Sequence, residues 1–153
     1  MTVTVEPMVE DDVEPVARLR MAAFFSGSDR TLEQDMAGLR RLVAEAGGFQ
    51  VSLVACMGDE LAGSVLLVRD ELDARHDVGP WLAGLVVAPQ ARQRGIGSAL
   101  VKAVEAHAGA HGIERLYLYT WEARRFYALL GWRAVETFDD GGEPAMLMSR
   151  RLS

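Results

Sequence analysis

Two arginines and two glycines lie between an apolar run and a long amphipathic stretch of the chain. The apolar run, residues 82–88, is typical of a buried strand, and Pro89 ends it because proline has no amide hydrogen for a sheet. After it come Arg92, Arg94, Gly95 and Gly97. Apolar residues then recur at helical spacing from Ile96. Because the first amides of a helix lack partners and carry the positive end of its dipole, this segment predicts an anion-binding site.

The spacing of the glycines indicates which kind of phosphate loop this is. The dinucleotide fingerprint needs glycines at its first, third and sixth positions, and neither 92, 94, 97 nor 95, 97, 100 supplies them. The Gly-Lys-Ser/Thr of a Walker loop is also absent. The order found is Arg-x-x-Gly-x-Gly, starting at Arg92. A plain strand–turn–helix with solvated arginines remains the alternative interpretation.

Composition and charge limit the class of protein. The 153 residues are half apolar and carry a formal charge of −6, which indicates a globular domain and argues against general nucleic-acid binding. Cys56 is the one cysteine, so no intrachain disulfide can form, and no apolar run approaches the ~20 residues that cross a bilayer. His107 and His111 have no third candidate ligand, so no metal is expected. We therefore expect one domain over residues 1–153, a cytoplasmic location, and no nucleic-acid or membrane partner.

Apolar periodicity and turn residues predict the order of the elements. Strands are predicted over 2–6, 49–57, 61–69, 82–88, 116–120, 132–138 and 144–150, and helices over 11–24, 32–46, 96–111 and 122–130. Thr31 and Gln34 form a capping box before the second helix, and residues 139–143 form a hairpin loop. The order β-α-α-β-β-β-α-β-α-β-β predicts an α/β (α+β) fold with helices packed on a mixed sheet.

A second segment farther along the chain resembles a sequence motif of a known family. Residues 123–132 read Ala-Arg-Arg-Phe-Tyr-Ala-Leu-Leu-Gly-Trp, which resembles the Ala-x-x-Phe-Tyr-x-x-x-Gly-Phe segment of the GNAT superfamily of N-acetyltransferases. The Arg-x-x-Gly-x-Gly order resembles the acetyl-CoA pyrophosphate loop of the same family, and the element order is that of the family along nearly the whole chain. The resemblance implies a mixed, mostly antiparallel sheet of six to seven strands with a splayed parallel pair, and four helices packed on it.

The resemblance also implies acetyl-CoA as co-substrate. The strand before the loop and the strand at 116–120 would be the splayed pair, with the pantetheine arm between them. A bulge would free the backbone amides of Leu85, Val86 and Val87, and one of these would polarise the thioester carbonyl. The pyrophosphate would lie on the backbone of Arg92, Gln93, Arg94, Gly95, Ile96, Gly97 and Ser98. An acetyl group would then pass directly to a primary amine, without an acyl-enzyme.

One catalytic residue is implied by the resemblance. Tyr127 matches the tyrosine that gives a proton or a hydrogen bond to the departing thiolate, and simple packing is the alternative. Thr120 stands where many members of the family have Asn, so this position is assigned no side-chain contact to the pantetheine.

The sequence does not identify a general base. Some branches of the family carry an acid near the start of the strand before the loop, where this chain has Trp81. His76, Asp77 and Glu122 are near in sequence, and we interpret them as solvated loop or helix-cap residues. A chain of water molecules could do the same work.

The acceptor is predicted to be a small amine. Its pocket is expected to use the loop between the first two helices and the aromatic residues Trp81, Tyr119 and Trp121. Trp81 and Trp121 are expected to be partly exposed and to form an acceptor wall or cation–π contacts, with ordinary packing as the alternative. Two other functions stay open: a protein or peptide N-terminal or lysine acetyltransferase, and an inactive acyl-CoA-binding module. The strand over 145–148 either forms a homodimer interface or is internal.

Overall fold

The computed structural model describes residues 2–45, 47–71 and 74–152. The elements are β1 Val3–Pro7, α1 Val13–Phe24, α2 Leu32–Ala44, β2 Val51–Met57, β3 Glu60–Val68, β4 Trp81–Val87, α3 Ile96–Ala110, β5 Arg115–Thr120, α4 Arg124–Leu129, β6 Arg133–Asp140 and β7 Glu143–Arg151. Their order and types agree with the prediction. The predicted end of the second helix at Ala46 lies outside the described residues. Within those residues, no helix is long and apolar enough to cross a bilayer.

The strands form one seven-stranded sheet in the order β1-β2-β3-β4-β5-β7-β6. Every neighbouring pair is antiparallel except β4 and β5, which are parallel. Among the described residues β4 and β5 share one register pair, Trp81 with Tyr117, and the amide of Tyr117 donates to the carbonyl of Pro80 at 3.1 Å. The two strands are therefore joined at the first residue of β4 and the third residue of β5 and have no register pair beyond that point, as expected for a splayed pair.

Helices cover both faces of the sheet, because each strand alternates its apolar side chains between two faces. On one face α3 packs Leu100, Val101 and Val104 against buried residues of the central strands. On the other face α1 and α2 form a second cluster through Val16 and Leu39. The predicted capping box starts α2, where the hydroxyl of Thr31 accepts from the Gln34 amide at 3.1 Å and the side-chain oxygen of Gln34 accepts from the Thr31 amide at 2.9 Å.

The last hairpin differs from the prediction. Asp140 pairs with Glu143, so the loop is the two-residue turn Gly141–Gly142 and not the five residues 139–143. Both glycines have positive φ, 60° and 97°, which suits the tight turns that preserve the twist of a hairpin. β7 lies between β5 and β6, so the strand over 145–148 is internal, the second of the two alternatives.

Gly63 in β3 allows β3 and β4 to approach closely, and its replacement by alanine is expected to destabilise the protein. A Cβ there would lie 2.6 Å from the Val86 carbonyl oxygen and 3.0 Å from Leu100 Cδ1. The backbone of β4 would have to move, so we expect a loss of about 1–3 kcal/mol of unfolding free energy, measured by urea denaturation. Gly109→Ala is the matched control, because nothing lies within 4 Å of its Cβ position and α3 should gain stability. Equal stabilities of the two variants would contradict this account.

Candidate active site

A bulge in β4 lies where β5 separates from it. Ser64 of β3 pairs with Val86, but Leu66, two residues on, pairs with Ala83, so β4 contains one extra residue. Gly84 and Leu85 are the residues without a register partner, and Gly84 has a φ of +61°. The expected bulge is present, but it involves Gly84 and Leu85, whereas Val86 and Val87 keep Ser64 and Gly63 of β3 as register partners.

A cleft of about 830 Å³ occupies the gap and continues to the α1–α2 face. Its lining residues include members of β4, the end of β5 and one residue of α4, with charged and aromatic residues of the first two helices and of the predicted loop between them. Among its lining residues are Arg20, Phe24, Phe25, Arg30, Asp35, Gly84, Leu85, Tyr119, Thr120, Trp121, Glu122 and Tyr127. The cleft therefore joins side chains from both faces of the sheet.

The loop between β4 and α3 has the geometry of an anion site. Gly95 is the N-cap of α3 with a left-handed φ of 78°, and no side chain caps the amides of Ile96, Gly97 and Ser98. Gln93 is also left-handed, with a φ of 64°. Arg92 and Arg94 are exposed and form no ion pair with any described residue. The loop thus offers uncapped amides and two unpaired guanidinium groups at one end of α3.

Gly97 has a packing role that the sequence did not reveal. Its missing Cβ would lie 3.3 Å from Cζ of Phe126 in α4. From the sequence, Gly97 is expected to leave the first amides of the helix open to a phosphate. The structure shows that it also lets α3 and α4 approach each other closely. This contact links the loop to the helix that carries Tyr127.

Tyr127 lies at the bottom of the cleft and is 6% exposed. Its ring packs edge-to-face on Phe126 and Trp132, with centroids 5.0 and 6.0 Å away. Its hydroxyl forms no hydrogen bond with any other residue that the structure describes. Burial raises the pKa of Tyr127 from 10.0 to about 12, so the phenol stays protonated and can act as a donor. Thr120 is occupied locally, because its hydroxyl accepts from the Ala123 amide at 2.9 Å before α4 begins.

The three predicted acceptor residues have different environments. Trp81 is 1% exposed, so the expectation that it is partly exposed is wrong: its ring is buried beneath Tyr119, with centroids 4.7 Å apart. Tyr119 and Trp121 line the cleft. Trp121 is 49% exposed, and its indole donates to Asp140 at 2.9 Å.

His76 was interpreted from sequence as a solvated loop residue, but its ring is bonded at both nitrogens. Nδ1 lies 2.7 Å from the hydroxyl of Tyr119, and Nε2 lies 2.6 Å from Oε2 of Glu136. The backbone amide of Arg75 donates to the same hydroxyl at 3.0 Å. A chain of titratable groups therefore runs from a cleft residue, Tyr119, to Glu136, which is half exposed. Its members are 43 and 60 positions from His76 in sequence, so no local motif could have revealed it.

An arginine cluster on the α1–α2 side was also missed. Arg20 holds both oxygens of Asp35, through Nε at 3.0 Å and Nη2 at 3.1 Å, and Nε of Arg30 donates to the same carboxylate at 3.0 Å. Arg20 and Asp35 are buried. All three residues line the cleft.

Comparisons with known proteins agree with this geometry. A model of the acetyltransferase (GNAT) family matches residues 13–132. An aminoglycoside 6'-N-acetyltransferase complexed with coenzyme A has 15% identity and a TM-score of 0.78, over 98% of this chain and 97% of that one. An acetyltransferase of the GNAT family from Streptococcus pneumoniae has 20% identity and a TM-score of 0.75, over 99% and 100%. Ard1 from Thermoplasma volcanium has 18% identity and a TM-score of 0.76, over 100% and 99%. At these identities the likeness concerns the fold alone, and a search of curated proteins finds no match.

Proposed function

Because this chain belongs to the acetyltransferase (GNAT) family, we propose that it moves an acetyl group from acetyl-CoA directly to a primary amine of a small molecule. The observation that carries the proposal is the gap between β4 and β5. One cleft there joins the bulge at Gly84 and Leu85 to Tyr127, and it continues to the first two helices. An acetyl thioester in the gap would meet an amine that enters from the α1–α2 side.

The residues around the gap fit acetyl-CoA, which would supply an acetyl group activated as a thioester. The uncapped first turn of α3 and the exposed Arg92 and Arg94 suit a diphosphate. Side chains would not obstruct the amides at Gly95 and Gly97. The proposed cofactor contacts are the backbone of Leu85, Val86 and Val87 and the loop residues Arg92, Gln93, Arg94, Gly95, Ile96, Gly97 and Ser98.

Two groups would stabilise charge during the transfer. The attack of an amine moves negative charge to the carbonyl oxygen, and an amide of the bulge, at Leu85, could donate to that oxygen. The protonated hydroxyl of Tyr127 could donate to the sulfur as the C–S bond breaks. Both groups act only if the acetyl thioester lies within reach of each of them.

The proton of the amine has a path out of the cleft. Tyr119 can accept it while its own proton passes to Nδ1 of His76, and Glu136 stabilises the imidazolium that results. The series Tyr119–His76–Glu136 would take the place of the acid that some branches of the family carry near the position of Trp81. Direct transfer of the acetyl group needs no acyl-enzyme. Cys56 lies on β2 and does not line the cleft, so it is assigned no part in the reaction.

A small acceptor is supported by the size of the cleft. A volume of about 830 Å³ lies in the range of small-molecule sites, about 300–1,000 Å³. Phe24, Phe25 and the arginine cluster line its α1–α2 side, where they could contact a small acceptor. One protein of similar fold is an aminoglycoside 6'-N-acetyltransferase, which also acts on a small molecule.

Acetyl-CoA is expected to raise the melting temperature. A ligand that binds the native state at a hundred times its dissociation constant adds about 2.7 kcal/mol. For a domain of this size we expect a shift of roughly 5–10 °C, measured by differential scanning fluorimetry. Adenosine is the control, because it lacks the diphosphate and pantetheine and should give little shift. A melting temperature that does not change with saturating acetyl-CoA would remove both the enzyme and the binding-module interpretations.

The release of free thiol from acetyl-CoA then tests the transfer itself. A panel of small amines and of peptides with free N-termini or lysines separates the acceptor classes. Turnover with small amines supports the proposal, and turnover with peptides alone would replace it with a protein acetyltransferase. Binding without turnover on any acceptor would indicate an inactive acyl-CoA-binding module.

A further inference from the structure

The arginine cluster of Arg20, Asp35 and Arg30 carries an unbalanced charge. The side chains of Arg20 and Asp35 are 7% and 1% exposed, and that of Arg30 is 28% exposed. Two guanidinium groups share one carboxylate, so the cluster has a net positive charge in a mostly buried place. A buried charge is costly unless it is paired. The cluster therefore favours an additional anion.

One nitrogen of Arg20 identifies where that anion would bind. Nε and Nη2 are taken by Asp35, while Nη1 forms no hydrogen bond with the other residues described. A Cβ on Gly84 would lie 2.5 Å from this Nη1, so the guanidinium contacts the bulge of β4 and depends on a glycine there. Both Arg20 and Gly84 line the cleft. The unpaired nitrogen is thus held at the proposed transfer site.

We propose that Arg20 binds the carboxylate of the acceptor, so that the substrate is an amino acid. The inference rests on the proposed function and names the acceptor class. The unpaired Nη1 can donate a charge-assisted hydrogen bond to a carboxylate, which would also balance the charge of the cluster. Gly84 contacts Nη1, and Leu85, which would polarise the thioester, is the next residue, one Cα step of about 3.8 Å away. The carboxylate would therefore bind next to the thioester, which favours an acceptor whose amine is close to its carboxylate.

This geometry discriminates among amines. The N-terminus of a peptide has an amide where an amino acid has its carboxylate, and the side-chain amine of lysine is several carbons from its own carboxylate. Phe24 and Phe25 lie beside Arg20, with ring centroids 6.0 and 5.8 Å from its Cζ, and both line the cleft. An apolar side chain on the amino acid would contact these rings.

The test compares three molecules that differ in one group: phenylalanine, phenylalaninamide and 2-phenylethylamine. Thiol release from acetyl-CoA is measured with each, and methionine with its carboxamide gives a second pair. We expect kcat/KM for the free amino acid to exceed that of the carboxamide and of the amine at least tenfold, because a site built for a carboxylate leaves buried donors unpaired without it. Equal kcat/KM values for the three molecules would overturn the inference and leave the proposed function intact.

Two variants connect the preference to Arg20. Arg20→Lys keeps the charge, but one ammonium group cannot replace both the fork on Asp35 and the free Nη1, so the ratio of kcat/KM for phenylalanine to that for phenylalaninamide should fall about tenfold. Arg18→Lys is the control, because Arg18 lies on the same helix and its side chain is 63% exposed. A preference that Arg20→Lys leaves intact would overturn the assignment to Arg20.

A binding measurement separates this inference from the proposed function. With coenzyme A present, phenylalanine should raise the melting temperature more than phenylalaninamide does, whether or not turnover occurs. If no small amine is acetylated but this difference is seen, the proposed function fails and the carboxylate site stands. If neither turnover nor this difference in melting temperature is seen, the proposed function and the carboxylate site both fail.

Discussion

Replacing Tyr127 with phenylalanine is expected to lower kcat by about 10²-fold, because the transition state loses its donor to the departing sulfur. The affinity for acetyl-CoA should stay nearly unchanged, since the ring contacts with Phe126 and Trp132 remain. Steady-state thiol release gives kcat, and a fluorimetric titration gives the dissociation constant. A fall in affinity that accounts for the whole loss of activity would contradict the assignment of Tyr127 to the chemical step.

The raised pKa of Tyr127 decides how it acts. An ordinary thiol has a pKa of about 8.5, so it is a stronger acid than a phenol whose pKa is about 12. Tyr127 therefore donates a hydrogen bond to the thiolate more readily than it gives up its proton. The folded-state value lies above the unfolded value of 10.0, so the protonated phenol stabilises the fold fully below pH 10. This contribution is lost as the pH rises towards 12, and Tyr127→Phe should lose less stability over that range.

Tyr117→Phe is the matched control for Tyr127→Phe. Tyr117 is a partly buried tyrosine of β5, and its ring packs 6.0 Å from that of Trp81. It is not among the residues that line the cleft. The control should keep the kcat of the wild type, and a loss similar to that of Tyr127→Phe would indicate a general effect of removing a hydroxyl from this core.

The parts of the site that the sequence predicts are those built from neighbours in the chain. The turn at Gly95 needs a left-handed backbone, and the helix that starts at Ile96 shows its apolar stripe directly. The family resemblance implies a bulge in β4 at Leu85 to Val87, and the pairing of β4 with β3 confirms a bulge but places it at Gly84 and Leu85. Local backbone geometry and apolar periodicity therefore determine the elements and their order, whereas the gap between β4 and β5 is implied only by the family resemblance.

The parts that the sequence does not predict are contacts between distant segments. Trp81 is adjacent to polar loop residues, which suggested exposure, but β5 brings Tyr117 and Tyr119 over its ring. Arg20 is one of several charged residues on α1 and becomes distinctive only because Asp35 and Gly84 meet it. Such side chains acquire their chemistry from tertiary packing, so their role cannot be found by spacing along the chain.

Replacing His76 with glutamine is expected to reduce kcat/KM by about 10²-fold for an alkylamine acceptor, because the proton of the ammonium then has no titratable receiver beyond Tyr119. Glutamine can still bond Tyr119, so the loop should stay attached and the melting temperature should change little. Thiol release and differential scanning fluorimetry measure the two effects separately. His111→Gln is the control, since His111 is exposed at the end of α3 and bonds the His107 carbonyl.

The dependence on the acceptor distinguishes proton transfer from a structural role of His76. An amine whose pKa lies below the assay pH arrives neutral, so the defect of His76→Gln should shrink for such an acceptor. A histidine that only positions residues 75–76 against β5 would slow every amine equally. The double variant with Tyr119→Phe should be little worse than either single variant, because two members of one proton path fail together. Equal defects for weakly and strongly basic amines would show that His76 only positions the loop at residues 75–76 and that another group accepts the proton.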